Sequence, residues 1–394
     1  MKKYMILVAV ATLSLASCAK IDTNITNREL DEPAAIGFTT YAPKTLTKAD
    51  AAHYSPSTTL IADSQFKVYA WSNAYATTFT GTGTQFMNWY TVTYKSGGNS
   101  NGNSNVYPEG YRYWPSGDNP NKLSFYAYYP SDAGTITPPT GLGNFTFTAE
   151  STAAEQVDFM VADVVADRLY ETHGGTVALS FKHQLTKVQI KFKTTDAVIE
   201  DTETNVVITG VTLKNIKSTG TLNASYLQKD NTGKFSDEEG YSSEATPLSY
   251  GTKTAWTATS NPQDYDVYYP TTALTAVASE VAPANVFLMV PQTMLANNES
   301  GAQAIVVSWD VKTYDTAAHA TANGEAGLLS TVSNTKTLYL DDCKSTDNGN
   351  VAANIDWAKN NNVVYTITVG PQPILFTATV TDWDGVANGF FNVN

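Results

Sequence analysis

Charge is scarce in this chain. Lys, Arg, Asp and Glu make up only 15% of its 394 residues, against about 25% in ordinary soluble domains. Its polar surface must therefore come from Thr, Ser, Asn and Gly, the habit of β-rich extracellular proteins. What charge there is runs acidic. The formal net charge of −13 becomes −15 once Lys2 and Lys3 leave with the leader described below. Such a chain repels phosphate backbones, which excludes nucleic acid as a partner.

Cysteine is nearly absent, with only Cys18 and Cys343 present. Cys18 is committed elsewhere, so no intramolecular disulfide framework is possible, and Cys343 reads as a buried apolar thiol. The four histidines, His53, His173, His183 and His319, are scattered without metal-ligand spacing. His183 falls where one strand gives way to the next, and a structural hydrogen bond is its expected job. Asp382-Trp383-Asp384-Gly385 starts like a calcium loop but lacks the later ligands and the closing glutamate, so a turn explains it. Glu238-Glu239 reads as a solvated pair. Gly98-Asn99-Ser100-Asn101-Gly102 spells G-x-S-x-G, yet a nucleophile elbow needs a taut strand-to-helix turn, and this copy lies in a low-complexity tract. No catalytic, metal or cofactor site is expected, and the chain reads as a non-enzyme.

Long apolar runs are equally rare, and the one present comes first. Lys2-Lys3, the apolar stretch from Met5 to Leu15 and the small pair Ala16-Ser17 have the three-part layout of an export signal. The run is shorter than the roughly 20 residues a bilayer span needs. Leu15-Ala16-Ser17-Cys18 resembles the lipobox of bacterial lipoproteins, where the chain is cut between Ser17 and Cys18 and the Cys18 thiol is acylated. Each buried acyl CH₂ contributes about 0.8 kcal/mol, and several chains anchor stably. The mature protein is therefore expected outside the cytoplasm, held to the cell outer membrane by lipid.

The remainder is patterned for strands. After a polar tether, Ile36-Gly37-Phe38-Thr39-Thr40-Tyr41 alternates with Ile36 and Phe38 on one face, and Pro43 to Pro56 then breaks the pattern. Alternation returns at Phe66-Val68-Ala70 and at Leu123-Phe125-Ala127-Tyr129. The clearest stretch has Val177, Leu179 and Phe181 at odd numbers and Val188, Ile190 and Phe192 at even ones, with Lys187, Lys191 and Lys193 facing outward. A parity switch at 183–186 implies a turn or bulge. Further runs are Val211-Leu213, Ile305-Val307-Trp309-Val311, Val363-Tyr365-Ile367-Val369 and Phe376-Ala378-Val380. One short helix is predicted around Ala153–Val165. Many short strands divided by Gly and Pro indicate β-sandwiches. The expected divisions are a leader over 1–17, a lipidated segment with its own strand over 18–48, and two tandem sandwiches over 49–196 and 197–394, the second starting in an acidic polar stretch.

Several local patterns, taken in order, are similar to the fimbrillin family, the lipoprotein pilins of Bacteroides-type bacteria. They are the lipobox, the early strand at 36–41, and the basic site Lys48-Ala49. Tyr113-Trp114-Pro115 follows, leading into Leu123–Pro130, and then Val157-Asp158-Phe159-Met160-Val161-Ala162. The last are Leu179-Ser180-Phe181-Lys182-His183-Gln184-Leu185-Thr186-Lys187-Val188 and Tyr365-Thr366-Ile367 with Ile374 to Trp383. The resemblance implies an all-β fold of two transthyretin-like sandwiches and assembly by donor-strand exchange into surface fimbriae that serve adhesion. In that scheme a trypsin-like protease cuts after the first strand, at Lys48-Ala49 with Lys44 and Arg28 as alternatives. The strand bearing Ile36 and Phe38 leaves, and an extended segment of another fimbrial subunit takes its place. Relatives are cut after arginine, where this chain has lysine. The candidate donor is the strand bearing Phe376, Ala378 and Val380.

A second reading is a monomeric glycan-binding surface lipoprotein. Tyr111, Tyr113 and Trp114, with Tyr126, Tyr128 and Tyr129, could stack on sugars of a host or bacterial surface ligand. Aromatics also dominate sandwich interiors, and the core assignment is favoured.

Overall fold

The period-two runs become strands. The computed structural model describes residues 34–41, 63–77, 81–94, 110–131, 134–173, 175–229, 234–239, 242, 249–259, 261–275, 277–279, 285–347, 350–370 and 375–382. The first sheet has seven strands: β1 (Gly37–Tyr41), β2 (Gln65–Asn73), β3 (Thr84–Thr93), β4 (Lys122–Tyr129), β7 (Met160–Ala162), β8 (Val165–Arg168) and β9 (Thr176–His183). Their order is β1-β9-β7-β4-β2-β3, with β8 also paired to β4.

Three four-stranded sheets follow. β5 (Ile136–Thr137) and β6 (Phe145–Thr148) join β12 (Thr219–Lys229) and β13 (Ser249–Ala258) in the order β13-β12-β6-β5. β10 (Thr186–Thr194) lies between β15 (Val286–Met289) and β20 (Asn361–Val369), and β21 (Leu375–Asp382) forms the edge beyond β20. β14 (Pro262–Asp266), β11 (Thr204–Lys217), β16 (Ala304–Tyr314) and β17 (Leu328–Tyr339) make the last, in that order, and β18 (Lys344–Asp347) pairs with β19 (Asn350–Asn354). Among the described residues, helix is confined to α1 (Tyr170–His173), α2 (Asp196–Glu200), α3 (Ala317–Ala322) and one 3₁₀ turn at Leu340–Asp342.

The middle of the seven-stranded sheet, where β2, β4 and β7 run, is buried on both faces. On β4, Leu123, Phe125, Ala127 and Tyr129 enter one core while Tyr126 and Tyr128 enter the other. β2 divides likewise, with Phe66, Val68 and Ala70 on one side and Tyr69 and Trp71 on the other. The larger core is continuous through all four sheets. The smaller one lies inside the curl of the first sheet and belongs to residues 36–181 alone. The abundant tyrosines of β2 and β4 are thus core residues: desolvation drives the Tyr126 phenol well above its ordinary pKa, and the nearby Asp163 charge adds to the rise.

The chain passes from one core to the other between β9 and β10. Val177, Leu179 and Phe181 belong to the small core, and Val188, Ile190 and Phe192 to the large one. The parity switch marks this passage between sheets. β10, which precedes residue 197, bonds to β15 and β20, while β6 bonds to β12, so sheet membership crosses position 196/197 in both directions.

Two expectations need correction. The helix predicted around Ala153–Val165 is absent: a turn at 153–155 and an irregular stretch over 156–159 lead into β7. Phe159 and Val161 go to the large core and Met160 and Ala162 to the small one. That division between two opposite faces demands the strand period. Lys187 is buried at 3% exposure rather than facing outward; it lies where the chain crosses between the two cores, beside Thr186, whose hydroxyl donates to the Ala358 carbonyl.

Candidate functional site

The strand β1 closes the small core. It pairs in parallel with β9, from Gly37 opposite Thr176 to Tyr41 opposite Ser180. It is the end strand of its sheet. Just before it the backbone is held on a second side. Ile36 N–H donates to the Arg112 carbonyl at 2.7 Å, and Trp114 N–H donates to the Ala34 carbonyl at 2.9 Å. Residues 34–41 therefore lie across the mouth of the curled sheet, bonded to β9 and to the 112–114 segment.

Ile36 and Phe38 are both fully buried. Phe38 lies edge-on to Phe66 of β2 at 6.2 Å and to Phe125 of β4 at 5.8 Å between ring centroids. In a flat sheet β1 and β2, four strand spacings apart, would be separated by about 19 Å. The sheet must curl strongly to bring the rings together, as twisted sheets can. Burying these two side chains contributes roughly 3–6 kcal/mol as an upper bound.

Gly175 organises the entrance. Its carbonyl accepts both the Gly37 N–H at 3.0 Å and the Trp114 indole N–H at 3.1 Å. Its φ is +79°, and a Cβ there would lie 3.0 Å from the Tyr170 ring, so glycine is required on two counts. Trp114 is 4% exposed and packs against Phe125. Sequence reasoning missed Gly175, although a glycine pair opening a strand is a bulge or turn signal.

The candidate donor residues Phe376, Ala378 and Val380 lie on β21, opposite Ile367, Tyr365 and Val363 of β20. The strand is thus paired within its own chain, at a sheet edge. Ser17, Cys18, Lys48 and Ala49 lie outside the described residues, as do Arg28, Lys44, His53 and the Gly98–Gly102 tract. Of the aromatics weighed for sugar stacking, Tyr111 and Tyr113 are 55% and 47% exposed, while Trp114, Tyr126, Tyr128 and Tyr129 are buried.

Two of the quoted stretches meet. His183 Nδ1, on β9, lies 3.0 Å and 2.9 Å from the two carboxylate oxygens of Asp158, and both side chains are fully buried. This pair holds the approach to β7 against β9. Among the described residues no group of three or more His, Cys, Asp or Glu side chains is placed to hold a metal ion. No helix among them is long and apolar enough to cross a membrane.

One solved structure shares this fold. A fimbrial protein from Bacteroides vulgatus has a similar structure, with a TM-score of 0.51 at 16% identity over 89% of this chain and 99% of that one. A fimbrial assembly protein from Parabacteroides distasonis aligns with a TM-score of 0.36 at 10% identity, over 89% of this chain and 100% of that one. No curated protein sequence matches. The sequence pattern described as fimbrillin-like matches residues 47–383, which takes in every strand after β1; the chain belongs to the fimbrillin-like family.

Proposed function

We propose that this protein joins a surface fimbrium by donor-strand exchange, with residues 34–41 as the removable plug. As a member of the fimbrillin-like family it is a fimbrial protein of the cell surface, and other fimbrial subunits are its partners. The proposed role is structural and adhesive rather than catalytic. In it, Cys18 carries the lipid that holds the precursor at the outer membrane, and a trypsin-like protease cuts after Lys48.

The observation that carries this reading is the placement of Ile36 and Phe38. Both are buried in a core built otherwise from β2, β3, β4, β7, β9 and Trp114, Phe38 on the end strand of the sheet and Ile36 just before it. Removing that strand would open an apolar trough beside the unpaired backbone of β9, the arrangement that invites strand addition. While the strand stays covalently attached, its high effective concentration defeats any competitor. A cut removes that advantage. The β21 strand, at the edge of its own sheet, is the proposed donor; release from β20 is the cost it must meet.

The test is trypsin treatment of purified precursor, followed by mass spectrometry and electron microscopy. Cleavage after Lys48 with ladders or fibres is expected. Mature surface fibres that still carry residues 19–48 would overturn the mechanism. The alternative, a monomeric glycan binder, rests on exposed Tyr111 and Tyr113 and requires inert monomers after cleavage together with sugar binding.

A further inference from the structure

A second feature lies just beyond the end of the β1–β9 pairing, where β7 and β9 approach β13. A cavity of about 480 Å³ is lined there by Asp163, Lys182, Phe235, Lys253, Thr254 and Lys359, among others. In a chain with 24 basic residues and a net charge of −13, three lysines line this one cavity and a fourth, Lys229, stands beside it.

The charges around it are unevenly matched. Asp163 Oδ2 lies 2.6 Å from the Lys182 ammonium and 3.5 Å from that of Lys229. Its Oδ1 accepts the Thr252 N–H at 3.2 Å. Lys253 pairs with Asp237 at 2.9 Å and Glu238 at 3.4 Å. Lys359 has no carboxylate partner among the described residues. Its ammonium donates to the Thr254 carbonyl at 2.6 Å and the Thr254 hydroxyl at 2.7 Å, and an ammonium has three donors. Among the described residues, Asp163, Asp237 and Glu238 pair with Lys182, Lys229 and Lys253, and none pairs with Lys359.

The crowding is felt. Desolvation lowers the pKa of Lys359 first and the charge of Lys182 second, with Asp163 acting against them and Lys253 with them. Lys229 is lowered too, chiefly by desolvation. A bound anion would relieve this crowding and use the remaining Lys359 donor in a charge-assisted bond. Phe235 supplies an apolar wall, with the Lys229 and Lys253 ammonium groups 4.8 Å and 5.8 Å from its ring centre.

We propose that this cavity binds an oxyanion-bearing ligand, with Lys359 and Lys182 contacting the anion and Phe235 covering the group that carries it. The shared chemistry is a carboxylate or sulfate. It can arrive on an acidic sugar or as a free ion, and the test separates these. The proposal stands apart from strand exchange, because it concerns the uncut chain.

Calorimetric titration of the purified full-length protein at low ionic strength, where such contacts are least screened, tests it with glucuronate, inorganic sulfate and glucose. Saturable binding of glucuronate or sulfate is expected, with none for glucose. Affinity should fall about tenfold in Lys359→Gln or in Lys182→Gln, with the native fold kept in both variants as read by circular dichroism. Glucuronate without sulfate would identify an acidic sugar, and equal affinity would identify the anion alone. No saturable anion binding, equal binding of glucose, or undiminished affinity in both variants would overturn the proposal.

Discussion

The ring of Phe38 meets that of Phe66 edge-on at 89°, although β9, β7 and β4 separate their strands in the sheet. One side chain from the end strand thus touches the far wall of the core it closes. Phe38→Ala removes that contact and leaves a void lined by Phe66 and Phe125. A loss of about 3–5 kcal/mol is expected, read from urea unfolding of the uncut precursor. A loss below about 1 kcal/mol, the range of ordinary surface changes, would mean that the strand does not plug this core.

Gly175→Ala tests the entrance. The change forces φ +79° on a residue with a Cβ and presses that atom against Tyr170. A destabilisation of about 1–3 kcal/mol follows from the backbone conformation alone. Because the Gly175 carbonyl holds both Gly37 and Trp114, amide exchange at Gly37 should accelerate in step. Unchanged exchange there would separate the glycine from the strand.

The tyrosines and the tryptophan of the 111–114 segment should separate cleanly. Trp114→Ala, at a buried site, is expected to cost about 3–5 kcal/mol. Tyr111→Ala and Tyr113→Ala, at exposed sites, should stay within about 0.5 kcal/mol. Thermal melts of the three variants check this. A Trp114 variant as stable as wild type would remove that residue from the core.

Much of this was legible in the chain. β9, β10, β16 and β20 follow directly from period-two alternation, because one side of each must meet a core, and the alternation at 376–380 likewise gives the strand β21. The placement of Ile36 and Phe38 on one face was legible for the same reason. β4 was harder to read: both faces are buried, so alternation between apolar and polar residues nearly vanishes in Leu-Ser-Phe-Tyr-Ala-Tyr-Tyr. The stretch at 153–165 misled because small apolar residues suit helix and strand alike, and only two opposed cores decide between them. The lysine-lined cavity was invisible. Lys182 and Lys359 stand far apart in sequence, and each alone reads as a solvated side chain.

Cys343 carries a pH signature. Desolvation, reinforced by the charge of Asp342, moves its thiol from 9.0 to about 12. The unfolded thiol therefore ionises first, the unfolded state holds fewer protons between these values, and stability falls as pH rises above about 9. Between about pH 8 and 10.5 the stability difference between wild type and Cys343→Ala should shift by about 2 kcal/mol against wild type. Denaturant titrations at the two pH values measure it. A constant difference would show that the thiol is not held protonated by the fold.

The parallel sense of β1 against β9 has a consequence for polymer geometry under the proposed exchange. Any replacement that repeats those bonds must thread the slot with the same N-to-C heading. Every junction would then be oriented alike, giving a filament with distinguishable ends, one presenting an unfilled slot and the other an unused strand. Growth and capping would accordingly be different events at the two ends.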